Sequence, residues 1–185
     1  MRDPAATDAP SRGEVHLIPF DQRHLNERYV RWLNDPEVTR FSELRHRRHT
    51  LEDGRHFVER LAGGGHWLFA IHFDRGCGES VHVGNLAVYF DRPNQTAEMS
   101  ILIGEKEHWG KGVGASAWRI ATLRVFKETN VYKIWGGTLA GNLAMIGTMT
   151  GIGMVPDGIQ RAHMLWNGQR MDVVRFALFR SEACQ

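Results

Sequence analysis

The sequence of residues 98–117 is EMSILIGEKEHWGKGVGASA, and it contains the local signals on which the fold prediction depends. Its apolar beginning belongs to a run over 96–104 that predicts a buried strand. The run leads into the glycine-spaced segment Trp109-Gly110-Lys111-Gly112-Val113-Gly114. A helical pattern over 111–129 follows, in which one face carries Val113, Ala117, Ile120 and Ala121. The stretch therefore predicts a strand, a tight turn and the beginning of a helix.

A glycine turn that opens a helix is suited to binding phosphate. Glycines allow positive φ and let the backbone approach a ligand closely. The first helical amides lack intrahelical partners, and the helix dipole adds partial positive charge there. Lys111 can add a full charge, so the turn predicts a pyrophosphate site. The segment lacks the spacing of a nucleotide P-loop, and it comes too late in the chain for a dinucleotide-binding fingerprint.

The rest of the chain predicts a sheet with helices on both faces. Alternating apolar residues and turn residues predict strands at 14–19, 66–73, 81–90, 96–104, 131–138, 154–166 (in two extended parts) and 171–179. Helical spacing predicts helices at 22–34, 51–62, 111–129 and 142–152, and Asn167-Gly168 predicts a hairpin turn. Because hairpins mix with crossovers, we predict a mixed α/β (α+β) sheet of about seven strands. It would form one domain over 14–185, after a flexible leader at 1–13.

The composition is that of a soluble globular protein. Of the 185 residues, 42% are hydrophobic and 24% are charged, which is enough for one domain with a sizeable core. The net charge of +2 is too small to favour a nucleic-acid partner. No apolar run reaches the ~20 residues of a membrane helix, so we predict no membrane partner. Cys77 and Cys184 lie in no metal or redox spacing, which favours a reduced, cytoplasmic protein without a metal.

The glycine segment resembles the acyl-CoA-binding motif of the GNAT superfamily of N-acetyltransferases, Gln/Arg-x-x-Gly-x-Gly/Ala. Trp109 stands in the Gln/Arg place, and Gly112-Val113-Gly114 complete the motif. This tryptophan form is similar to the branch of the ribosomal-protein acetyltransferases and their relatives that act on polyamines and amino sugars. Further matches to that branch follow in the same order along the chain: 32–38 (WLNDPEV), Gly84-Asn85-Leu86, Asn142 with Gly153-Met154, and 157–173.

The resemblance implies a GNAT fold in which the fourth and fifth strands splay apart and the arm of acetyl-CoA pairs with the open strand. It implies direct transfer of an acetyl group to a primary amine, with acetyl-CoA as cosubstrate and no metal. Ile101, Leu102 and Ile103 would contact the pantetheine arm through their backbone, and Asn142 would bind its end. The residues implied for the pyrophosphate are Trp109, Gly110, Lys111, Gly112, Val113, Gly114 and Ala115.

The reaction needs a base, because an alkyl amine with a pKa of ~10 is protonated at neutral pH. Glu98, on the fourth strand near the expected splay, is the candidate, with a structural strand glutamate as the alternative. His72 and His82 are the other candidates. Many relatives carry a tyrosine seven residues after the asparagine, and some carry a serine three residues after it. Met149 and Met145 stand at these positions, so we expect no general acid on that helix.

The acceptor amine is the least defined part of the sequence prediction. The connection between the first two helices carries Arg45, Arg47 and Arg48, which would suit the diphosphate of a nucleotide-linked amino sugar; a solvated basic loop is the alternative. A polyamine would need an acidic pocket, which could form from Glu37, Glu43, Glu52 and Asp53. The chain most resembles the amino-sugar transferases. N-terminal or polyamine acetylation and a non-catalytic acyl-CoA-binding module stay open, as does a homodimer.

Overall fold

The computed structural model describes residues 13–76 and 79–182, so Cys77, Cys184 and nearly all of the predicted leader lie outside the described residues. The strands are β1 (Glu14–Pro19), β2 (Trp67–Asp74), β3 (Ser80–Asp91), β4 (Thr96–Ile103), β5 (Lys133–Leu139), β6 (Val155–Trp166) and β7 (Gln169–Phe179). The helices are α1 (Glu27–Asn34), α2 (Leu51–Gly63), α3 (Val113–Glu128) and α4 (Leu143–Gly151), with 3-10 turns at Glu43–His46 and Lys106–His108. The predicted order of strands and helices is confirmed. None of these helices is long and apolar enough to cross a membrane.

The strands form one mixed sheet in the order β1-β2-β3-β4-β5-β7-β6. β4 and β5 run parallel, and they pair at only three positions, Thr96–Lys133, Ala97–Ile134 and Glu98–Trp135. Beyond Glu98, β4 stays paired with β3, and β5 stays paired with β7. The facing edges of 99–103 and 136–139 therefore part from each other. This confirms the splay that was predicted between the fourth and fifth strands.

Different helices cover the two faces of β4, because side chains alternate along a strand. Ile101 and Ile103 pack into the main core, to which α3 contributes Val113 and Trp118. Leu102 faces the opposite side, where it packs against the cluster formed by α1. Helices therefore lie on both faces of the sheet, as predicted.

Side-chain caps determine where the first two helices begin. Asn26 Oδ1 accepts a hydrogen bond from the Tyr29 amide at 3.2 Å, so α1 begins at Glu27 and not at residue 22, as the sequence had predicted. Thr50 and Asp53 form a reciprocal capping box at the beginning of α2. A capping box therefore begins α2, while residues 22–26, which the sequence had assigned to the first helix, precede α1 and lie outside any helix.

The closing hairpin of β6 and β7 folds back over the connection between α1 and α2. Its turn, Asn167-Gly168, has φ values of 48° and 79°, which confirms the turn predicted there. Beside the turn, Trp166 Nε1 donates to the carbonyl of Arg40 at 2.8 Å, and the Trp166 ring stacks on Phe41 with ring centroids 5.7 Å apart. These contacts hold the hairpin tip against the segment that follows α1.

Candidate active site

The parted strands open onto a cleft of about 400 Å³. The cleft is walled by the open edges of β4 and β5, by α4, by the segment after α1 and by the closing hairpin. Among its lining residues are Ile101, Leu102, Ile103, Trp109 and Asn142, all of which the resemblance had associated with acetyl-CoA. Two further lining residues, which the sequence had not singled out, are Trp118 and Thr148.

The glycine turn before α3 has the geometry of an anion site. Gly110 and Gly112 have φ values of 70° and 78°, in the left-handed region that favours glycine. The Ser116 amide donates to Gly112 O at 2.9 Å, so the amides of 113–115 precede the first bond of the helix. A Cβ placed on Gly110 or Gly112 would meet no atom within 4 Å, and Lys111 is exposed between them. The turn thus presents open space, helix-end amides and a positive charge to a phosphate group.

Trp109 anchors this turn to the end of β4. Its indole Nε1 donates to Ile103 O at 2.9 Å, so the indole N–H is used within the chain. Ile101 and Ile103 lie under the beginning of α3, where their side chains come within 3.9 Å of a Cβ built on Gly114. Trp109 therefore fixes the glycine turn relative to the open strand and the splay.

Asn142 begins α4 at the edge of the cleft. Its Oδ1 accepts from the Met145 amide at 3.3 Å, and its Nδ2 donates to Thr138 Oγ1 at 2.9 Å. Met145 lines the cleft, whereas Met149, which stands where many relatives carry tyrosine, is fully buried in the core. The hydroxyl that α4 brings to the lining is that of Thr148, one residue earlier.

Glu98 occupies the last paired position before the splay, one residue before the cleft-lining Met99. Burial raises the pKa of the half-buried Glu98 carboxyl above its ordinary value, and the charge of Arg175 opposes the rise. The Arg175 guanidinium lies 3.9 Å from the centre of the Trp135 ring. Glu98 is not itself among the residues that line the cleft. A half-buried carboxyl with a raised pKa is chemically suited to accepting a proton from an amine.

The two candidate histidines lie away from the cleft, in a histidine cluster. His24 Nε2 and His72 Nε2 are 3.1 Å apart, and His82 Nε2 lies 3.0 Å from Asn85 Oδ1. Burial lowers the pKa of His82 to about 4 and also lowers the pKa of His72. The Trp32 ring of α1 meets the His82 ring edge to face, with centroids 4.9 Å apart, and neither candidate lines the cleft. The structure therefore does not bring His72 or His82 to the splay.

The three arginines predicted to bind an acceptor line a second groove, of about 950 Å³, between the hairpin tip and the α1–α2 connection. We call it the basic groove. Arg45 is mostly buried there: its Nη2 donates to Leu165 O at 2.9 Å and its Nη1 donates to Glu43 at 2.8 Å. Arg45 therefore ties the hairpin tip to the connection.

The other two arginines of the groove differ in their partners. Arg47 pairs with Asp53 at 2.9 Å, so its charge is offset by the residue that caps α2. Arg48 is exposed and takes part in none of the ion pairs formed by the described residues. Arg40, which the cleft and the groove share, is likewise exposed, and its guanidinium lies over the Phe41 ring at 4.6 Å.

The turn and the splay together suit the pyrophosphate and the pantetheine arm of an acyl-CoA. The glycine turn suits a pyrophosphate, and the open edge of β4 offers backbone groups to an amide-containing arm. Within residues 13–76 and 79–182, no group of three or more His, Cys, Asp or Glu side chains could hold a metal ion. The polar side chains that line the cleft include the carboxylates of Glu37 and Glu43 and the guanidinium of Arg40.

The solved structures most similar to this chain include several acetyltransferases. Spermidine N-acetyltransferase from Vibrio cholerae, in complex with CoA and spermine, has a TM-score of 0.80 at 17% identity, over 92% of this chain and 98% of that one. A GNAT-family acetyltransferase from Bacillus anthracis has a TM-score of 0.76 at 20% identity, over 91% and 96%. RimL, a ribosomal-protein alpha-N-acetyltransferase in complex with coenzyme A, has a TM-score of 0.76 at 14% identity, over 89% and 93%. At these identities the likeness shows the shared fold.

The sequence itself matches one family model. No curated protein is significantly similar to the chain. The model of the acetyltransferase (GNAT) domain, however, matches residues 14–155, which is well over half of the chain and includes β4, the glycine turn and α4. The protein therefore belongs to the GNAT family of N-acetyltransferases, enzymes that take their acetyl group from acetyl-CoA.

Proposed function

We propose that the protein transfers the acetyl group of acetyl-CoA directly to a primary amine on an anionic acceptor, such as a nucleotide-linked amino sugar. The observation that carries this proposal is that the splay cleft and the basic groove are neighbours, because Arg40 lines both. In this arrangement the cleft holds the amine beside the thioester, and the groove holds the negatively charged part of the acceptor.

The charge of the basic groove supports an anionic acceptor. Its lining includes no aspartate or glutamate among the described residues, and its basic members are Arg40, Arg45, His46, Arg47 and Arg48. Arg45 and Arg47 are engaged with carboxylates, whereas Arg40 and Arg48 join none of the ion pairs found in the described part of the chain. Two arginine forks are therefore available to phosphate oxygens, whose geometry they match.

The acidic residues that could have formed a polyamine pocket are already engaged. Two of them line the cleft, but Glu37 pairs with Lys106 at 2.6 Å and Glu43 pairs with Arg45 at 2.8 Å. Glu52 pairs with Arg55, and Asp53 completes the capping box of α2. A polycation would also approach Arg40 and Arg48, whose charges repel it. An anionic acceptor is thus favoured over a polyamine.

Different residues of the chain would bind acetyl-CoA and accept the proton of the amine. Trp109 to Ala115 would hold the pyrophosphate, and 101–103 with Asn142 would hold the arm, while the bound thioester supplies the activated acetyl group. Glu98 accepts the proton of the attacking amine, directly or through water, as the N–C bond forms and the C–S bond breaks. The leaving thiolate, with a thiol pKa of ~8.5, takes its proton from solvent, because Met149 fills the position of the usual tyrosine and a threonine hydroxyl such as that of Thr148 is a far weaker acid than a thiol.

A thiol-release screen tests the acceptor class. The purified protein is given acetyl-CoA with a nucleotide-linked amino sugar, the free amino sugar, spermidine or a peptide N-terminus. We expect the highest kcat/KM for the nucleotide-linked amine. Arg48→Ala should raise KM for that acceptor roughly tenfold or more, because it removes a charge-assisted hydrogen bond worth about 1.5–3 kcal/mol. KM for acetyl-CoA should not change.

Arg55→Ala is the matched control, since Arg55 is an exposed arginine on α2 that lines neither the cleft nor the groove. It should leave both Michaelis constants unchanged. A higher kcat/KM for spermidine, or an equal effect of Arg48→Ala on the KM for the amine and the KM for acetyl-CoA, contradicts the proposal of an anionic acceptor.

The cytoplasmic location and the homodimer stay predictions of the sequence.

A further inference from the structure

Trp118 is a large side chain at the point where the sheet opens. It lies on α3, is 1% exposed, and lines the cleft together with Met99 and Gly137, the residues of β4 and β5 that follow the last paired position by one and two residues. Its indole is therefore beneath the apex of the splay, on the α3 side of the sheet. Neither the GNAT motif nor the proposed acceptor site accounts for a tryptophan here.

The indole is wedged against the backbone of β5. A Cβ built on Gly136 would lie 3.0 Å from both Cζ2 and Cη2 of Trp118, and 3.3 Å from the carbonyl oxygen of Met99. The φ of Gly136 is not positive, so its backbone conformation does not require glycine. Glycine is required at this position because a side chain would collide with Trp118. The Trp118 Nε1 is buried and has no hydrogen-bond partner among the described residues. Within the described part of the chain, the indole therefore contributes packing volume and no hydrogen bond.

The acyl end of the cosubstrate belongs at the same apex. The glycine turn, which would hold the pyrophosphate, follows the carboxyl end of β4, so an arm that pairs with β4 runs back towards Met99. The five open residues from Met99 to Ile103 span about 16 Å at the ordinary rise of a strand. The thioester at the far end of the arm then lies beside Met99 and Gly136, directly over Trp118.

We propose that Trp118 limits the transferred acyl group to acetyl by filling the space beneath the apex of the splay. An acyl chain longer by two methylenes would have to displace a buried indole or extend into the cleft that the amine must enter. The close contact with Gly136 prevents the ring from moving towards β5. This inference rests on the proposed position of acyl-CoA in the splay, and it assigns to the chain a residue that selects acyl length.

Graded replacement of Trp118 tests the proposal. Trp118→Phe and Trp118→Leu make progressively more room at the apex while they keep an apolar core residue. Acetyl-CoA, butyryl-CoA and hexanoyl-CoA are compared by kcat/KM and, independently of turnover, by calorimetric Kd. We expect Trp118→Leu to raise the butyryl-to-acetyl ratio about tenfold in both measurements, since each buried methylene changes binding about fourfold. Trp118→Phe should give an intermediate ratio.

Phe126→Leu is the control for a general loosening of the core, because Phe126 is a buried aromatic residue on the same helix that does not line the cleft. It should leave the ratio unchanged. The proposal is overturned if folded Trp118→Leu keeps the wild-type ratio, or if the wild-type protein binds butyryl-CoA as well as acetyl-CoA. Failure of the wild-type protein to bind any acyl-CoA would be a different result, since it would remove the proposed site itself.

Discussion

Among single residues, Glu98 combines burial with a position at the apex of the splay. The strand pairing places it at the last position before β4 and β5 part, and burial favours its protonated form. A base works best when its pKa lies closer to the working pH, so the same burial that raises the pKa of Glu98 suits it to proton transfer. Burial also makes the ionised form of Glu98 unfavourable in the folded state. Replacing Glu98 should therefore change the pH dependence of both the rate and the stability.

Glu98→Gln should lower kcat/KM for the amine most at neutral pH, by roughly 10²-fold, the usual contribution of a general base. The deficit should shrink as the pH approaches the amine pKa of ~10, because the amine is then neutral without help. A pH–rate profile of the variant and the wild-type protein measures this. A deficit that is the same at every pH, or no deficit, would exclude Glu98 as the base.

Glu98→Gln should lower the activity, but it should stabilise the fold relative to the wild-type protein as the pH rises. Because the pKa of Glu98 in the folded state lies above its ordinary value of 4.5, the folded state binds this proton more tightly than the unfolded state does. The contribution of Glu98 to stability therefore falls as the pH rises from about 4.5 through the folded-state pKa. Thermal unfolding measures this effect. The Tm of the variant minus the Tm of the wild-type protein should increase as the pH is raised from ~4.5 to ~8. A Tm of the variant that falls relative to that of the wild-type protein over this range, or that keeps a constant offset from it, would contradict the burial of the carboxyl.

Some residue roles were predictable from the sequence, and others depend on distant contacts. Gly110 and Gly112 could be identified because a turn with positive φ requires glycine, and their φ values agree. Trp118 could not be assigned a role, because helical spacing identifies it only as a core residue. The spacing does not show that the sheet opens above this side chain. The engagement of Arg45 with Leu165, 120 positions along the chain, has no local signal at all.

At the scale of elements, the closing hairpin and the α1–α2 connection together line the basic groove. The Trp166 indole bonds to the backbone of Arg40 and stacks on Phe41, and Arg45 bonds to the backbone beside Trp166. Two segments far apart in sequence are thus joined by a few side chains. The position of the hairpin tip, and with it the shape of the basic groove, should depend on Arg45 far more than on its neighbour Arg48.

Arg45→Ala should lower the free energy of unfolding by about 2 kcal/mol, because it removes hydrogen bonds of a mostly buried charged group. Arg48→Ala should change the same quantity by less than about 0.5 kcal/mol, as is usual for an exposed side chain. Urea denaturation of the two variants and the wild-type protein measures the difference. Equal losses of stability would show that Arg45 does not hold the hairpin tip in the way described.

At the scale of the whole molecule, the alternation of periodic segments gave the order of strands and helices, and the structure confirms it. Strand order in the sheet and the extent of pairing were expected from the GNAT resemblance, because periodicity does not determine which strands are neighbours. The splay is the feature from which function follows. It leaves the edge of 99–103 open between a turn with the geometry of an anion site at one end and a half-buried carboxyl at the other.

A calorimetric titration of coenzyme A into Gly112→Asp and Gly112→Asn tests the central claim, that the glycine turn holds the pyrophosphate of an acyl carrier. The two substitutions have the same size, and both tolerate positive φ, so they differ in charge alone. We predict that the aspartate variant binds roughly tenfold or more weakly than the asparagine variant, because a carboxylate would lie against the phosphates. The two should bind acetyl-pantetheine, which lacks the pyrophosphate, equally. Equal affinities of both variants for coenzyme A would contradict the account.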